Sequence, residues 1–185
     1  MIIHNINLQN YIFIADANAF MHDHFCKFLK NDLILAIKKA RETTNDQNSS
    51  IYVPKTVMEE LKDLSKRSGT ENLQVRTDAL NGLRIAEALI TKNYGHLMKS
   101  DFIGTVEKFN DVAMLTILME ARRHSSLAIL TNDRNFATDI LNLNLMKSVK
   151  SKYNLKALFI DKKNHKLTDW ILDSETREAK RFKWE

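Results

Sequence analysis

The sequence of 185 residues contains few of the residues that break or cross-link a chain: four glycines, one proline and one cysteine. So little glycine and proline argues against a disordered chain and against an all-β fold rich in turns. The single cysteine, Cys26, excludes an internal disulfide. It therefore favours a reducing compartment, and we expect a cytoplasmic protein.

Long apolar runs are also absent. No stretch approaches the roughly 20 apolar residues of a membrane-spanning helix, and residues 1–10 lack the hydrophobic region of a signal peptide. We therefore expect no membrane association. What the chain does contain is 44% hydrophobic residues, enough for a core, and a net charge of +5. That charge permits a polyanionic partner but does not require one.

Short apolar runs alternate with longer segments of helical periodicity. The runs are Tyr11–Ile14, Ile51–Val53, Leu127–Leu130 and Lys156–Ile160. Strands that alternate with helices indicate an α/β fold, with a central, mostly parallel sheet covered by helices on both faces. We predict one domain over residues 1–160. A charged tail, residues 161–185, then packs on the domain or on a partner. Its isolated anchors are Trp170, Ile171, Leu172, Phe182 and Trp184.

Acidic residues occur at comparable points of this pattern. Asp16 and Asp133 each end a predicted strand, Glu60 lies in the helix after the second strand, and Asp111 opens a helix. In a parallel sheet with right-handed crossovers, strand ends and the starts of crossover helices share one edge. We therefore expect these four acids at the carboxyl edge of the sheet, where open α/β sheets bind ligands.

Four carboxylates gathered without a cation repel one another and raise each other's pKa. Such a cluster is best explained as a site for Mg²⁺ or Mn²⁺, because hard cations prefer oxygen ligands. An ion bound there activates water and stabilises an in-line displacement at phosphorus. For each acid the alternative is structural: Asp16 and Asp133 as turn residues or helix caps, and Asp111 as a favourable charge at a helix start.

Four segments together resemble the PIN-domain ribonucleases in order, spacing and predicted local structure: IADAN (14–18), VPKTVMEEL (53–61), FNDVAML (109–115) and LTNDRNF (130–136). The resemblance implies a Rossmann-like three-layer α/β/α fold and metal-dependent hydrolysis of single-stranded RNA. By motif position it implies Asp16, Glu60, Asp111 and Asp133 as the catalytic metal ligands. Asn18 and Thr131 match the polar residues beside the first and last acids.

The chain departs from the PIN pattern at two points. Ala17 stands where the family more often has Thr or Ser, and residues 112–115 lack the further acid that many members carry after the third one. The second departure argues against tight binding of a second metal ion. The segment LTNDRNF is more similar to the PIN domains of RNA-decay nucleases than to those of toxin–antitoxin toxins.

Glu59 is the rival of Glu60 for the second acid. Glu60 precedes Leu61 as the family's acid precedes its leucine, so the resemblance favours Glu60. The spacing of Thr56 and Glu59 fits a capping box, which would give Glu59 a structural role.

Basic residues provide candidate RNA contacts. Seven lysines lie between Lys147 and Lys166 against one acid, Asp161. Lys150 and Lys152 belong to this lysine-rich segment, which either contacts the phosphate backbone of RNA or forms a solvated face. Arg134, beside Asp133, is the best candidate to hold a scissile phosphate, and a surface ion pair is the equal alternative.

Two other functions compete with an endoribonuclease. The first is a catalytically weak PIN-like module that binds RNA or a protein partner, since a fold alone does not establish activity. The second is a haloacid-dehalogenase-like phosphatase with Asp16 as its nucleophile. That chemistry requires a second acid two residues on, and the sequence has Asn18 there. The substrate RNA and the oligomeric state are not encoded in any motif, and a homo-oligomer is one arrangement that the tail could support.

Overall fold

The structure is a computed structural model that describes residues 1–43, 49–98, 111–146 and 151–182; of Asp111 it describes the backbone only. The strands are β1 Ile2–Ile3, β2 Ile6–Asn7, β3 Tyr11–Ala15, β4 Ile51–Pro54, β5 Gly95–Met98, β6 Ser126–Leu130, β7 Leu155–Ile160, β8 Leu167–Leu172 and β9 Ala179–Arg181. The helices are α1 Ala17–Met21, α2 Asp23–Lys30, α3 Asp32–Thr43, α4 Lys55–Ser65, α5 Leu73–Thr91, α6 Asp111–Ala121 and α7 Arg134–Leu143.

Within the described residues, seven strands form one sheet in the order β5-β4-β3-β6-β7-β8-β9. The first five are parallel to one another, and β8 and β9 are added antiparallel. The predicted α/β fold with a mostly parallel sheet is confirmed. None of the helices in the described ranges is both long enough and apolar enough to cross a membrane.

The strand order reverses at β3, and this explains the two helical layers. From β3 the chain moves through β4 to β5 on one side, then returns to β6 and continues to β7 on the other. Because parallel crossovers are right-handed, the two directions of travel place α4 and α5 on one face and α6 and α7 on the opposite face. In agreement, α4 packs on α5 and α6 packs on α7.

The central strands are buried on both faces. Every residue from Leu127 to Leu130 has no exposed surface, and Phe13 and Ile14 of the neighbouring strand are almost as buried. Such continuous apolar runs are typical of a parallel sheet that helices cover on both sides. The ends of β3 and β6 are thereby fixed side by side, with Ala15 opposite Leu130.

Helix α5 lies very close to the backbone of α1. A Cβ atom added to Gly82 of α5 would approach the carbonyl oxygen of Phe20 to 2.6 Å. Only glycine allows this approach, so Gly82 lets the longest described helix pack directly on the short helix that follows Asp16.

Two local predictions were wrong. Helix α4 begins at Lys55, so Thr56 lies inside its first turn; its buried hydroxyl has no hydrogen-bond partner among the described residues, and no capping box forms. Glu59 instead lies 3.4 Å from Lys55, one turn earlier. Trp170, Ile171 and Leu172 are not isolated anchors, because they form part of strand β8. Trp184 lies outside the described residues. The domain boundary at residue 160 stays a prediction; the strands beyond it lie in the same sheet.

Candidate active site

Asp16 lies where β3 ends and α1 begins, at the carboxyl edge of the sheet. Its Oδ1 accepts a hydrogen bond of 2.7 Å from the backbone N of Ala17, as a helix N-cap does. Its Oδ2 accepts hydrogen bonds from Thr131 Oγ1 at 3.0 Å and from Asn18 Nδ2 at 3.4 Å. The carboxylate is therefore oriented by its own helix and by the neighbouring strand.

Thr131 connects the ends of the two central strands. It is fully buried directly after β6. Its hydroxyl donates to Asp16 and accepts a hydrogen bond of 3.1 Å from the backbone N of Asp133. Its carbonyl oxygen accepts a hydrogen bond of 3.1 Å from the indole Nε1 of Trp170. A single hydroxyl thus links the segments that carry two of the predicted acids.

Asp133 is the N-cap of α7. Its Oδ1 accepts hydrogen bonds from the backbone N of Asn135 at 2.7 Å and of Phe136 at 3.0 Å. The capping role is therefore present, and it coexists with a position at the sheet edge beside Thr131. The other carboxylate oxygen accepts no hydrogen bond from the described residues, so it is available to a ligand.

Glu60 and Asp111 approach this edge from two helices. Helix α4 follows β4, the neighbour of β3, and Glu60 lies half-buried in its second turn. Helix α6 leads into β6 and so runs against the strands, which places its first residue, Asp111, toward the same edge. The side chain of Asp111 lies outside the described residues.

The oxygen donors at this edge suit a hard cation, although the described side chains do not by themselves form a metal site. In the described part of the chain, no three His, Cys, Asp or Glu side chains are gathered closely enough to hold one metal ion. The side chains that do meet, Asp16, Asn18 and Thr131, offer oxygen donors, which Mg²⁺ and Mn²⁺ prefer. The chemistry of these oxygen donors therefore fits a divalent cation.

The predicted basic residues lie in different places. Arg134 donates from Nε to the carbonyl oxygen of Ala179 at 2.7 Å and forms an ion pair of 2.8 Å with Glu178. This is the ion pair raised as the alternative role for Arg134. Lys152 precedes β7 at the amino edge of the sheet, opposite the acids, and stacks 4.9 Å from the ring centroid of Tyr153. Lys150 lies outside the described residues.

Two residues beside the site have roles that the sequence did not reveal. Trp170 reaches across β7 to hydrogen-bond Thr131, although its strand had not been predicted. Asn132 precedes Asp133, which is the N-cap of α7. The Oδ1 of Asn132 is buried and has no hydrogen-bond partner among the described residues. The LTNDR motif itself was the available signal for Asn132, since it lies between two predicted site residues.

Comparisons with known proteins agree with this geometry. A family model for the PIN domain matches residues 13–148. Among solved structures the chain is similar to the PIN domain endonuclease Utp24, with 20% sequence identity and a TM-score of 0.50 over 86% of this chain and 91% of that one. At this identity the likeness concerns the fold. No curated protein matches the sequence.

Proposed function

The chain belongs to the PIN-domain family, and from this membership we propose that it is a metal-dependent endoribonuclease that hydrolyses phosphodiester bonds of single-stranded RNA. The observation that carries the proposal is the hydrogen bond from Thr131 to Asp16. It joins residues 115 positions apart and orients a carboxylate at the edge where α/β sheets bind ligands.

We assign the four acids to one metal site. Asp16, Glu60, Asp111 and Asp133 would hold Mg²⁺ or Mn²⁺, which supplies water activation and charge stabilisation at phosphorus. Thr131 and Asn18 keep the Asp16 carboxylate in one orientation, a role typical of the residues behind metal ligands. Asp133 in addition fixes the start of α7 through its cap.

Several finer statements stay predictions. These are a phosphate contact by Arg134, backbone contacts by Lys150 and Lys152, a cytoplasmic location, and a homo-oligomer or protein partner bound through residues 161–185. For Arg134 the ion pair with Glu178 leaves Nη1 without a hydrogen bond among the described residues, so a phosphate could still bind there.

A cleavage assay with matched variants tests the proposal. Labelled single-stranded RNA is incubated with the protein in Mg²⁺, Mn²⁺ or EDTA. Replacing a residue behind a metal ligand typically costs roughly 10–100-fold, so we expect a loss in that range for Thr131→Val and a larger loss for Asp16→Asn and Asp111→Asn. Asp139→Asn, an exposed acid on α7, is the control and should cleave normally.

Thermal unfolding of the same variants separates a metal site from a structural role. A metal that binds only the folded chain raises the melting temperature with concentration, and Asp111→Asn should reduce that rise without destabilising the metal-free protein. If Asp111 were only a helix-start charge, its loss would cost up to about 1 kcal/mol and leave cleavage intact. A destabilised but fully active Asp111→Asn protein would therefore contradict the proposal.

A module without turnover is the second candidate. It is favoured by one observation: residues 112–115 lack the further acid that many PIN domains carry after the third one. Such a module would bind RNA or a protein partner in EDTA and in Mn²⁺ alike. It would show no cleavage in either condition, and its melting temperature would not depend on Mn²⁺.

A further inference from the structure

A cavity of about 770 Å³ lies between the start of α7 and strand β9. Its lining includes Asn132, Arg134, Trp170, Lys180, Arg181 and Phe182. The volume is within the roughly 300–1,000 Å³ of small-molecule binding pockets. Because Asn132 lies between Thr131 and Asp133, the cavity opens at the same edge of the sheet as the proposed active site.

Within the part of the chain that the structure describes, Arg181 is the cation of this cavity that has no ion pair with an acid. Arg134 is paired with Glu178, and Lys180 is paired with Asp173 at 2.7 Å. The guanidinium carbon of Arg181 lies 5.2 Å from the ring centroid of Phe159 and 5.5 Å from that of Trp170. Among the described residues Arg181 has neither an ion pair nor a hydrogen bond.

Arg181 stacks on two aromatic rings and can still bind an anion from solution. Aromatic faces hold a guanidinium through cation–π contact without using its N–H donors. Those donors form a planar fork that matches a phosphate. Arg181 is therefore positioned by Phe159 and Trp170 and still has its donors available.

The other groups of the cavity suit the remaining parts of a nucleotide. Phe182 is 39% exposed at the rim, so a base has an aromatic surface to stack on. The buried Oδ1 of Asn132 accepts no hydrogen bond within the described residues. A ribose 2′-hydroxyl or a base amino group would supply the donor that this oxygen lacks.

The electrostatic potential near Arg181 is positive outside the cavity as well. The pKa of His24 is lowered to about 4, first by burial and then by Lys162, His22, Arg181 and His165. Of these groups, Lys162 in the β7–β8 turn and Arg181 are cations at neutral pH, so Lys162 adds a second positive charge to this face. A polyanion would be attracted to this face.

We propose that this cavity binds one nucleotide of a single RNA strand that runs along the carboxyl edge of the sheet. Arg181 holds a phosphate, Phe182 stacks on the base, and Asn132 hydrogen-bonds the sugar or the base. The inference rests on the proposed function for the identity of the strand. It assigns a role to β8 and β9, which lie beyond the residues that the family model matches.

Binding measured without cleavage tests the proposal. A fluorescein-labelled oligouridylate of about ten nucleotides, within the site sizes of single-strand binding proteins, is titrated with the full chain in EDTA at several salt concentrations. Arg181→Gln should reduce the slope of log K against log salt by about 0.7, the value for one phosphate contact on a single strand. Arg181→Lys keeps the charge and should keep most of the slope.

Phe182→Ala should weaken binding roughly 5- to 150-fold at every salt concentration and leave the slope unchanged, because base stacking is not ionic. The matched control is Lys92→Gln, an exposed cation at the opposite edge of the sheet, which should bind like the parent. Near-normal far-ultraviolet circular dichroism of each variant confirms folding.

The outcomes separate this proposal from the nuclease proposal. Arg181-dependent binding with no cleavage in any metal would support the subsite and refute the nuclease. A parent that cleaves RNA, together with Arg181→Gln and Phe182→Ala variants that bind and cleave like the parent, would overturn the subsite alone. A parent that binds no oligonucleotide in EDTA would also overturn the subsite.

Discussion

The sheet has two regions that differ in strand direction and burial: the five parallel strands β3–β7 and the antiparallel pair β8–β9. The central parallel strands β3 and β6 are largely buried and carry Asp16 and Thr131 at their ends. The antiparallel pair has half-exposed residues and holds that edge from outside, through Trp170 on Thr131 and the carbonyl of Ala179 on Arg134. The parallel strands therefore position the acids, and the antiparallel pair stabilises the edge of the sheet on which they lie.

The largest expected difference between the two regions is in the cost of truncating an isoleucine. Ile129→Ala in β6 leaves a cavity in a fully buried site and should cost about 2–5 kcal/mol of unfolding free energy. Ile171→Ala in β8 is half-exposed and should cost less than half as much. Urea unfolding measures both, and equal costs would show that β8 belongs to the same tightly packed core.

Acid should destabilise the folded chain through His24 of α2. The pKa of His24 is lowered in the folded state from 6.5 to about 4, mainly by burial, so the folded chain keeps this histidine neutral while the unfolded chain protonates it. Between pH 6.5 and pH 4 the unfolded state therefore binds more protons, and stability should fall as the pH falls.

Replacing His24 by leucine should make the melting temperature less dependent on pH between 7 and 4.5. The control is His124→Asn, an exposed histidine before β6, which should keep the parent's pH dependence. The same steepness in the His24→Leu variant and the parent would exclude His24 as the source of acid sensitivity.

The smallest expected effect concerns the ion pair between Glu178 and Arg134. Both side chains are more than half exposed, so Glu178→Gln should cost less than about 1 kcal/mol, and still less at high salt. The bond from Arg134 to the carbonyl of Ala179 remains in this variant. Glu175→Gln, in the same turn but without an ion pair among the described residues, is the matched control. A loss of several kcal/mol of unfolding free energy would show that this ion pair is a main stabilising contact at the carboxyl edge of the sheet.

The parallel strands could be predicted because their chemistry is uniform. Apolar runs such as Leu127–Leu130 are typical of strands covered on both faces, and the acids that follow them mark the carboxyl edge. The pattern predicted the ends of the strands that precede Asp16 and Asp133 at the same edge of the sheet, and the resemblance placed Thr131 beside the last acid. Among the described residues, the structure adds the hydroxyl that joins them and the buried, unpaired oxygen of Asn132.

The antiparallel pair could not be predicted because its signals are weak. Strand β8 contains a charged residue, Asp169, and one of its faces is half-exposed. The turns before and after β8 have the same conformation. The side chains of Asp161 and Asp173 each accept two backbone hydrogen bonds, and His165 and Arg177 have positive φ. Glycine or asparagine usually takes the positive-φ position, so the sequence lacks the usual turn marker.

The hydrogen bond between Thr131 and Asp16 also bears on how the chain acquires its site during synthesis. The two residues are 115 positions apart, and at about 5–20 residues per second a ribosome needs roughly 6–23 s to make the intervening chain. Until β6 emerges, β3 has no partner on that side and the carboxylate has no hydroxyl to orient it. Pairings so distant in sequence form slowly. The nascent chain therefore carries an incomplete centre from the synthesis of Asp16 until β6 and Thr131 have emerged and paired with β3.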